Sequence, residues 1–262
     1  MTQNLFEEGR LFFEEYTSSM MKHKDVNIAD VLMLKKEHSL RVAQLAKQIA
    51  TELQLDEATR DLIELIGLIH DLGRFPQFDK YRSFDDVKTE DHAQMGIAII
   101  KEQSFFARMG EEMQKIVLDV VGSHNRLKIE LKDNQSILLC RILRDADKLD
   151  IWEISITHLK RNGSVALSAL SWDLPSAPSV SPAVIKAVKA GKPIMKVDLH
   201  SINDYKLYLM TMVFDLNFKP SFNILNTRQL IRNIYETLPK RDDVIDIYRQ
   251  IRLYIENKFV EQ

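Results

Sequence analysis

The chain has 262 residues, 45% of them hydrophobic and 28% charged, with a formal net charge of −2. That balance describes an ordinary globular protein with enough chain for a real core, and it excludes a global field that would draw the molecule onto nucleic acid or an anionic membrane. The single cysteine, Cys140, excludes an internal disulfide. No apolar stretch approaches the ~20 residues that cross a bilayer, and the early acids Glu7, Glu8, Glu14 and Glu15 are unlike a signal peptide, so a cytoplasmic setting is expected.

Residues 4–21 read as a first amphipathic helix, with Leu5, Phe6, Phe12, Phe13 and Tyr16 set between Glu-rich turns. A longer helix follows over 28–53, where Val31, Leu34, His38, Val42, Leu45, Ile49 and Leu53 recur at helical spacing, so His38 falls on the apolar stripe. Asp56 is placed to cap the next helix, whose face of Leu62, Leu65, Ile66 and Ile69 runs into His70-Asp71 before Gly73 and Pro76 end it. Residues 77–90 are polar and aromatic without periodicity, and are expected to form a long loop beside that helix end. Asp91 then caps a helix opening on His92, with Met95, Gly96, Ile99 and Ile100 behind it. Another helix from Glu111 carries Met113, Ile116, Val117, Val120, Val121 and His124 on one side. After a polar loop over 125–134, Ile137, Leu138, Cys140, Ile142 and Leu143 make a helix that runs into Asp145-Ala146-Asp147-Lys148.

Residues 161–181, with Gly163, Pro175, Pro178 and several serines, break periodicity and read as a linker or lid. Ser181-Pro182 opens a helix that Gly191 closes, and three more amphipathic helices are expected near 201–216, 221–238 and 241–258. Strand-like alternation is confined to a brief run at 128–132. The expected architecture is all-α.

The polar residues that end or line the apolar faces are His38, His70, Asp71, His92, His124 and Asp147. Each successive helix or helix end thus offers one ligand or a ligand pair to a common centre, which is how helical bundles build interior metal sites. Imidazole and carboxylate together suit Mn, Fe, Zn or Mg. His23, His158 and His200 fall outside the pattern.

On this ordered pattern of His, His-Asp, His, His and Asp, the chain resembles the HD domain superfamily of metal-dependent phosphohydrolases over roughly residues 25–155. Gly73-Arg74-Phe75, Ser83-Phe84, and Asp91-His92-Ala93 followed by Gly96 resemble a bacterial subgroup described only as HD domain proteins. The resemblance implies an HD-domain helical bundle over 25–155; beside it, an N-terminal helix at 1–24 packed on the core and a C-terminal helical extension at 156–262 belonging to the same globule are expected. It further implies one or two divalent ions (Mn, Fe, Mg, Zn or similar). His38, His70, Asp71 and Asp147 would hold the first, and His92 and His124 would add a second that Asp71 bridges. The activity implied is cleavage of a phosphate ester of a small molecule or nucleotide by a metal-activated hydroxide.

Arg74 and Lys148 are the candidates for touching the substrate phosphate, with complementing a helix dipole as the competing role for each. Arg126, Arg141 and Arg144 are expected in solvent or against acids, and Asp85 and Asp91 are either caps or participants. Asn125 after His124, with no Gly-Tyr-Pro following, separates the chain from the cyclic-di-GMP phosphodiesterase branch. Two alternatives stay open: a di-iron oxygenase resembling inositol oxygenase, which uses the same ligand types, and a non-catalytic metal or nucleotide sensor. The expected partner is a small phosphorylated substrate rather than nucleic acid or a membrane, and a homodimer is left open. The last hundred residues carry no recognisable motif and would roof the pocket, form a dimer surface, or both.

Overall fold

The computed structural model describes residues 2–160, 165–192 and 194–260, and among them the regular structure is helical throughout. In chain order the helices are α1 (Thr2–Met21), α2 (Val26–Glu52), α3 (Glu57–Ile69), α4 (Arg74–Tyr81), α5 (His92–Lys101), α6 (Ser104–Ala107), α7 (Glu111–Ser123), α8 (Asn134–Lys160), α9 (Val165–Leu170), α10 (Pro182–Lys189), α11 (Ile202–Thr211), α12 (Lys219–Thr227), α13 (Leu230–Tyr235) and α14 (Asp242–Val260). Short 3₁₀ turns at Lys196–Asp198 and Met212–Asp215 flank α11. The chain divides into two compact units, Met1–Asp150 and Ile151–Gln262. No helix among the described residues is long and apolar enough to cross a membrane.

In the N-terminal unit the helix starts follow from local chemistry. Asp25 accepts from the backbone N–H of Asn27 at 2.9 Å to start α2, and Asp56 accepts from Thr59 N–H at 2.9 Å to start α3. Caps of this kind contribute about 1 kcal/mol each. The apolar stripes then meet, with Leu32, Val42 and Ile49 of α2 and Ile63, Ile66 and Ile69 of α3 all buried. Gly67 lets these two helices close up, since a methyl group there would come within 2.9 Å of Ala43 Cα. That approach is what sets His38 of α2 beside His70 at the end of α3. A second close approach joins the turn after His70 to the start of α5, where a Cβ on Gly73 would sit 2.0 Å from the His92 carbonyl oxygen.

Three expectations need correction. Residues 77–90 are not one loop: Gly73 and Pro76 restart a helix, α4, instead of ending the chain's helical run. Pro76 lies in the first turn of α4, where the N–H it lacks would have no intrahelical partner. Phe78 and Phe84, which looked like loop aromatics, are buried with ring centroids 4.9 Å apart. The helix expected over 221–238 breaks into α12 and α13 at Gln229, which takes a left-handed conformation with φ of 51°. Within 161–181, residues 161–164 lie outside the described residues, but 165–170 form α9 and the remainder is turn and extended chain.

The C-terminal unit has its own core, built on Leu207 and Met210 of α11, Phe222 of α12, Ile231 and Ile234 of α13, and Val244, Ile247 and Ile251 of α14. Trp152 Nε1 donates to the Leu209 carbonyl at 2.8 Å, and the buried Asp204 carboxylate accepts from Ser181 N–H, Ser181 Oγ and His200 N–H at 2.6–2.9 Å.

Candidate metal centre

Six side chains converge in the interior of the N-terminal unit. His38 comes from the middle of α2, His70 and His124 immediately follow α3 and α7, Asp71 succeeds His70, His92 opens α5, and Asp147 lies on α8. The four imidazoles and Asp71 are 0–4% exposed, whereas the Asp147 side chain keeps 21% of its surface.

Every ring is held through Nδ1. His38 Nδ1 is 2.6 Å from Asp150 Oδ2, and His92 Nδ1 is 2.8 Å from Asp86 Oδ2. His70 Nδ1 is 2.7 Å from the Gly67 carbonyl, and His124 Nδ1 is 2.6 Å from the Val121 carbonyl. Carboxylates and carbonyls accept, so each bond puts the ring proton on Nδ1 and leaves Nε2 with a free lone pair. All four Nε2 atoms face the same carboxylate. Asp71 Oδ2 lies 3.6 Å from His38 Nε2 and 3.8 Å from His70 Nε2, while its Oδ1 lies 3.3 Å from His92 Nε2 and 3.9 Å from His124 Nε2. Asp147 Oδ1 joins the first pair at 3.1 and 3.9 Å. His38, His70 and Asp71 form one group close enough to share an ion, and Asp71, His92 and His124 form another.

The donor set fits divalent ions. His38 Nε2 and His70 Nε2 are buried without a hydrogen-bond partner, and His92 Nε2 and His124 Nε2 stand 3.0 Å apart. Lone pairs so close to one another and to carboxylate oxygens repel unless a cation lies among them. Imidazole nitrogens mixed with carboxylate oxygens are the ligand types of Mn, Fe, Zn and Mg sites.

The charge states of Asp71, Asp147, His70 and His124 agree with that role. Burial pushes the Asp71 carboxyl upward, but Lys35, whose Nζ is 2.8 Å from Oδ2, together with His70, His92 and Arg74, outweighs it and holds the group well below the usual carboxylate range. Asp147 is likewise held low against burial, chiefly by His38. Burial pushes His70 down, and pushes His124 down to about 3 with help from His92 and His70, so both rings are neutral near pH 7. Burial and Lys35 also lower His38, but Asp147 and Asp150 outweigh them and raise it.

Arg74 Nη1 donates to Gln77 Oε1, the Phe84 carbonyl and Asp86 Oδ1 at 2.8–2.9 Å, while its buried Nε, 3.6 Å from Asp71 Oδ1, has no hydrogen-bond acceptor. Lys148 Nζ donates to the Arg144 carbonyl at 3.2 Å. Arg126 pairs with Asp91 at 2.7 Å, Arg141 is exposed, and Arg144 is buried and donates to the carbonyls of His124, at 3.1 Å, and Arg126. Asp91 caps α5 through Ala93 N–H, and Asp85 accepts from Val87 N–H within a turn. His23 sits in the turn after α1 with φ of 60°, and His158 and His200 belong to the C-terminal unit.

Sequence reasoning missed Lys35, Asp86 and Asp150. Two of them carried a signal. Lys35 precedes His38 by three residues and Asp150 follows Asp147 by three, the spacing that stacks side chains on one helix face. Asp86 lies in irregular chain after α4 and carried none.

Comparison with known proteins bears on the same segment. The family model described as HD domain matches residues 36–152. Ribonuclease Y of Thermus thermophilus is 30% identical over 181 residues, 66% of this chain and 26% of that protein. Deoxyguanosinetriphosphate triphosphohydrolase-like proteins of Ralstonia nicotianae and Ralstonia pickettii are 49% and 47% identical over 47 residues, 18% of this chain and 11% of each of theirs. The chain therefore spans about a quarter or less of the curated relatives it matches. No solved structure matches it. The matched segment contains the whole ordered set His38, His70-Asp71, His92, His124 and Asp147, and it is through these residues, 36–152, that the chain matches the HD domain family.

Proposed function

We propose that this protein hydrolyses a phosphate ester of a small molecule or nucleotide with the help of divalent metal ions. The observation that carries the reading is the division of Asp71, whose two oxygens face two separate histidine pairs. His38, His70, Asp71 and Asp147 would hold one ion, and His92, His124 and Asp71 a second. Such ions, when bound, lower the pKa of a shared water toward neutrality and offset charge on phosphoryl oxygens.

The chain supplies the remaining conditions. Burial keeps His70 and His124 neutral and so able to ligate. Asp147 is the most exposed of the six and marks the side from which a phosphate group reaches the centre. Arg74 Nε, buried and without an acceptor beside Asp71, is the cation best set to meet a nonbridging oxygen there. Lys148, next to Asp147 on α8, is the second. A nucleotide is favoured among small phosphates because two of the relatives are named for a triphosphohydrolase acting on a nucleoside triphosphate. The net charge of −2 disfavours a polyanion.

Phosphate release from a panel of nucleotides and phosphomonoesters with added Mn²⁺, with Asp71→Ala run beside the wild type, tests the reading. Turnover by the wild type and not the variant supports it. A folded, ion-loaded wild type that releases no phosphate but consumes O₂ with iron bound would replace it with oxygenase chemistry.

A further inference from the structure

Each half of the centre is tied to a carboxylate and guanidinium of its own. Asp150 stands between His38 Nδ1, 2.6 Å from Oδ2, and Arg41 Nε, 2.6 Å from Oδ1. Asp86 stands between His92 Nδ1, at 2.8 Å, and Arg74 Nη1, at 2.9 Å, with Gln77 Nε2 also donating to it at 2.8 Å. Among the described residues the second imidazole of each half has no such carboxylate at Nδ1: His70 Nδ1 and His124 Nδ1 meet the carbonyl three residues earlier, at a helix end. The construction is thus repeated, one carboxylate-backed and one carbonyl-backed histidine for each oxygen of Asp71.

The two kinds of support are not equivalent. A carboxylate beside Nδ1–H pulls on that proton, which raises the basicity of Nε2 and makes it the stronger metal ligand, and it also fixes the ring's rotation. The guanidinium holds the carboxylate in place and ionised: Asp86 is kept low against burial by His92 and Arg74, and Asp150 by His38 and Arg41. The two carboxylates come from different elements, the irregular chain between α4 and α5 for Asp86 and α8 for Asp150. None of their hydrogen-bond partners given above is shared.

We infer that Asp150 and Asp86 are positioning residues that set the strength of the two ion sites separately, Asp150 for the site built on His38 and Asp86 for the site built on His92. The inference rests on the two-ion reading proposed above. It is tested by titrating Mn²⁺ into the metal-stripped full chain, as wild type, Asp86→Asn and Asp150→Asn, with Co²⁺ absorption spectra of the same proteins reporting the ligand field of each site. Asparagine keeps the size and an acceptor oxygen but removes the charge. The expected result is two binding steps in the wild type and, in each variant, a loss of about 10–100-fold in one step with the other held within about threefold, the weakened step differing between variants.

Equal weakening of both steps, or none, overturns the inference. A structural role alone would lower the melting temperature and leave the ratio of the two affinities unchanged. If Asp150→Asn, buried as it is, fails to fold, Asp86→Asn decides the matter by itself, because the Asp86 side chain is 29% exposed. A wild type that binds no Mn²⁺, Fe²⁺ or Zn²⁺ defeats the metal reading itself. A wild type with two ions and indifferent variants defeats only this inference, and one with a single ion overturns it by leaving nothing to separate.

Discussion

Replacing Lys35 by methionine should destabilise the metal-stripped protein much more than the metal-loaded one. Lys35 Nζ and Asp71 Oδ2 are 2.8 Å apart with side chains 10% and 4% exposed, so the substitution leaves a buried carboxylate without its nearest cation. Breaking a buried pair from one side costs about 3–5 kcal/mol. The lower end applies, because the Arg74 guanidinium, with Nε at 3.6 Å, remains beside the other oxygen. For a unit of this size a loss of about 3 kcal/mol lowers the melting temperature by roughly 6–12 °C. Divalent ions on Asp71 would supply the compensating charge that Lys35 gave, so the deficit should shrink severalfold when Mn²⁺ is present. Thermal melts of both proteins in chelator and in Mn²⁺ measure this. An equal deficit in the two conditions, or none in chelator, would refute the claim that Lys35 and a metal ion act on the same carboxylate.

Gly73→Ala should cost about 1–3 kcal/mol or more and weaken metal binding, because the new methyl meets the His92 carbonyl oxygen at 2.0 Å and Gly96 N at 2.7 Å, backbone atoms that cannot turn aside. A melt and a metal assay check it, and a wild-type result in both would mean the two segments part easily. The metal-stripped protein should also lose stability on acidification. His70 and His124 have folded values below the ordinary 6.5, so between the folded and unfolded values the unfolded chain binds more protons, and their contribution is full above about 6.5 and lost as pH falls through the folded value, about 3 for His124. His38, with a raised folded value, runs the other way: its contribution is full below 6.5 and lost as pH rises through that raised value. Melts between pH 6.5 and 5 in chelator, where the His38 contribution is already full, should therefore fall with pH, by up to about 1.4 kcal/mol per unit for each of the two lowered rings. A rise on acidification would contradict the neutral assignment. Lys148→Ala should keep its ions and lose about tenfold or more in kcat/KM on a phosphorylated substrate, and an unchanged value would remove Lys148 from the site.

The helical skeleton could be read from the sequence wherever one apolar stripe ran long enough to dominate. Val31 to Leu53 announced α2, and Asp56 with Leu62 to Ile69 announced α3. The candidate centre was legible for a related reason: its six residues end or line those stripes, and the structure brings all six together. Not every short element was legible. α4 has eight residues, contains Pro76 and owes its place to Phe75 and Phe78 being buried, a tertiary effect that no local period reports. The break at Gln229 rests on one left-handed residue that is not glycine. Asp86 went unnoticed because a charge in irregular chain looks solvated; only the fold shows that it faces a buried partner.

The account stands on Asp71 serving both histidine pairs. Its most direct test is the metal content of wild type and Asp71→Ala, each loaded with Mn²⁺, freed of excess by gel filtration, shown to be folded by circular dichroism, and counted by mass spectrometry. Two ions per chain in the wild type and the loss of both in Asp71→Ala is the expected result. An Asp71→Ala protein that still carries both ions would contradict it.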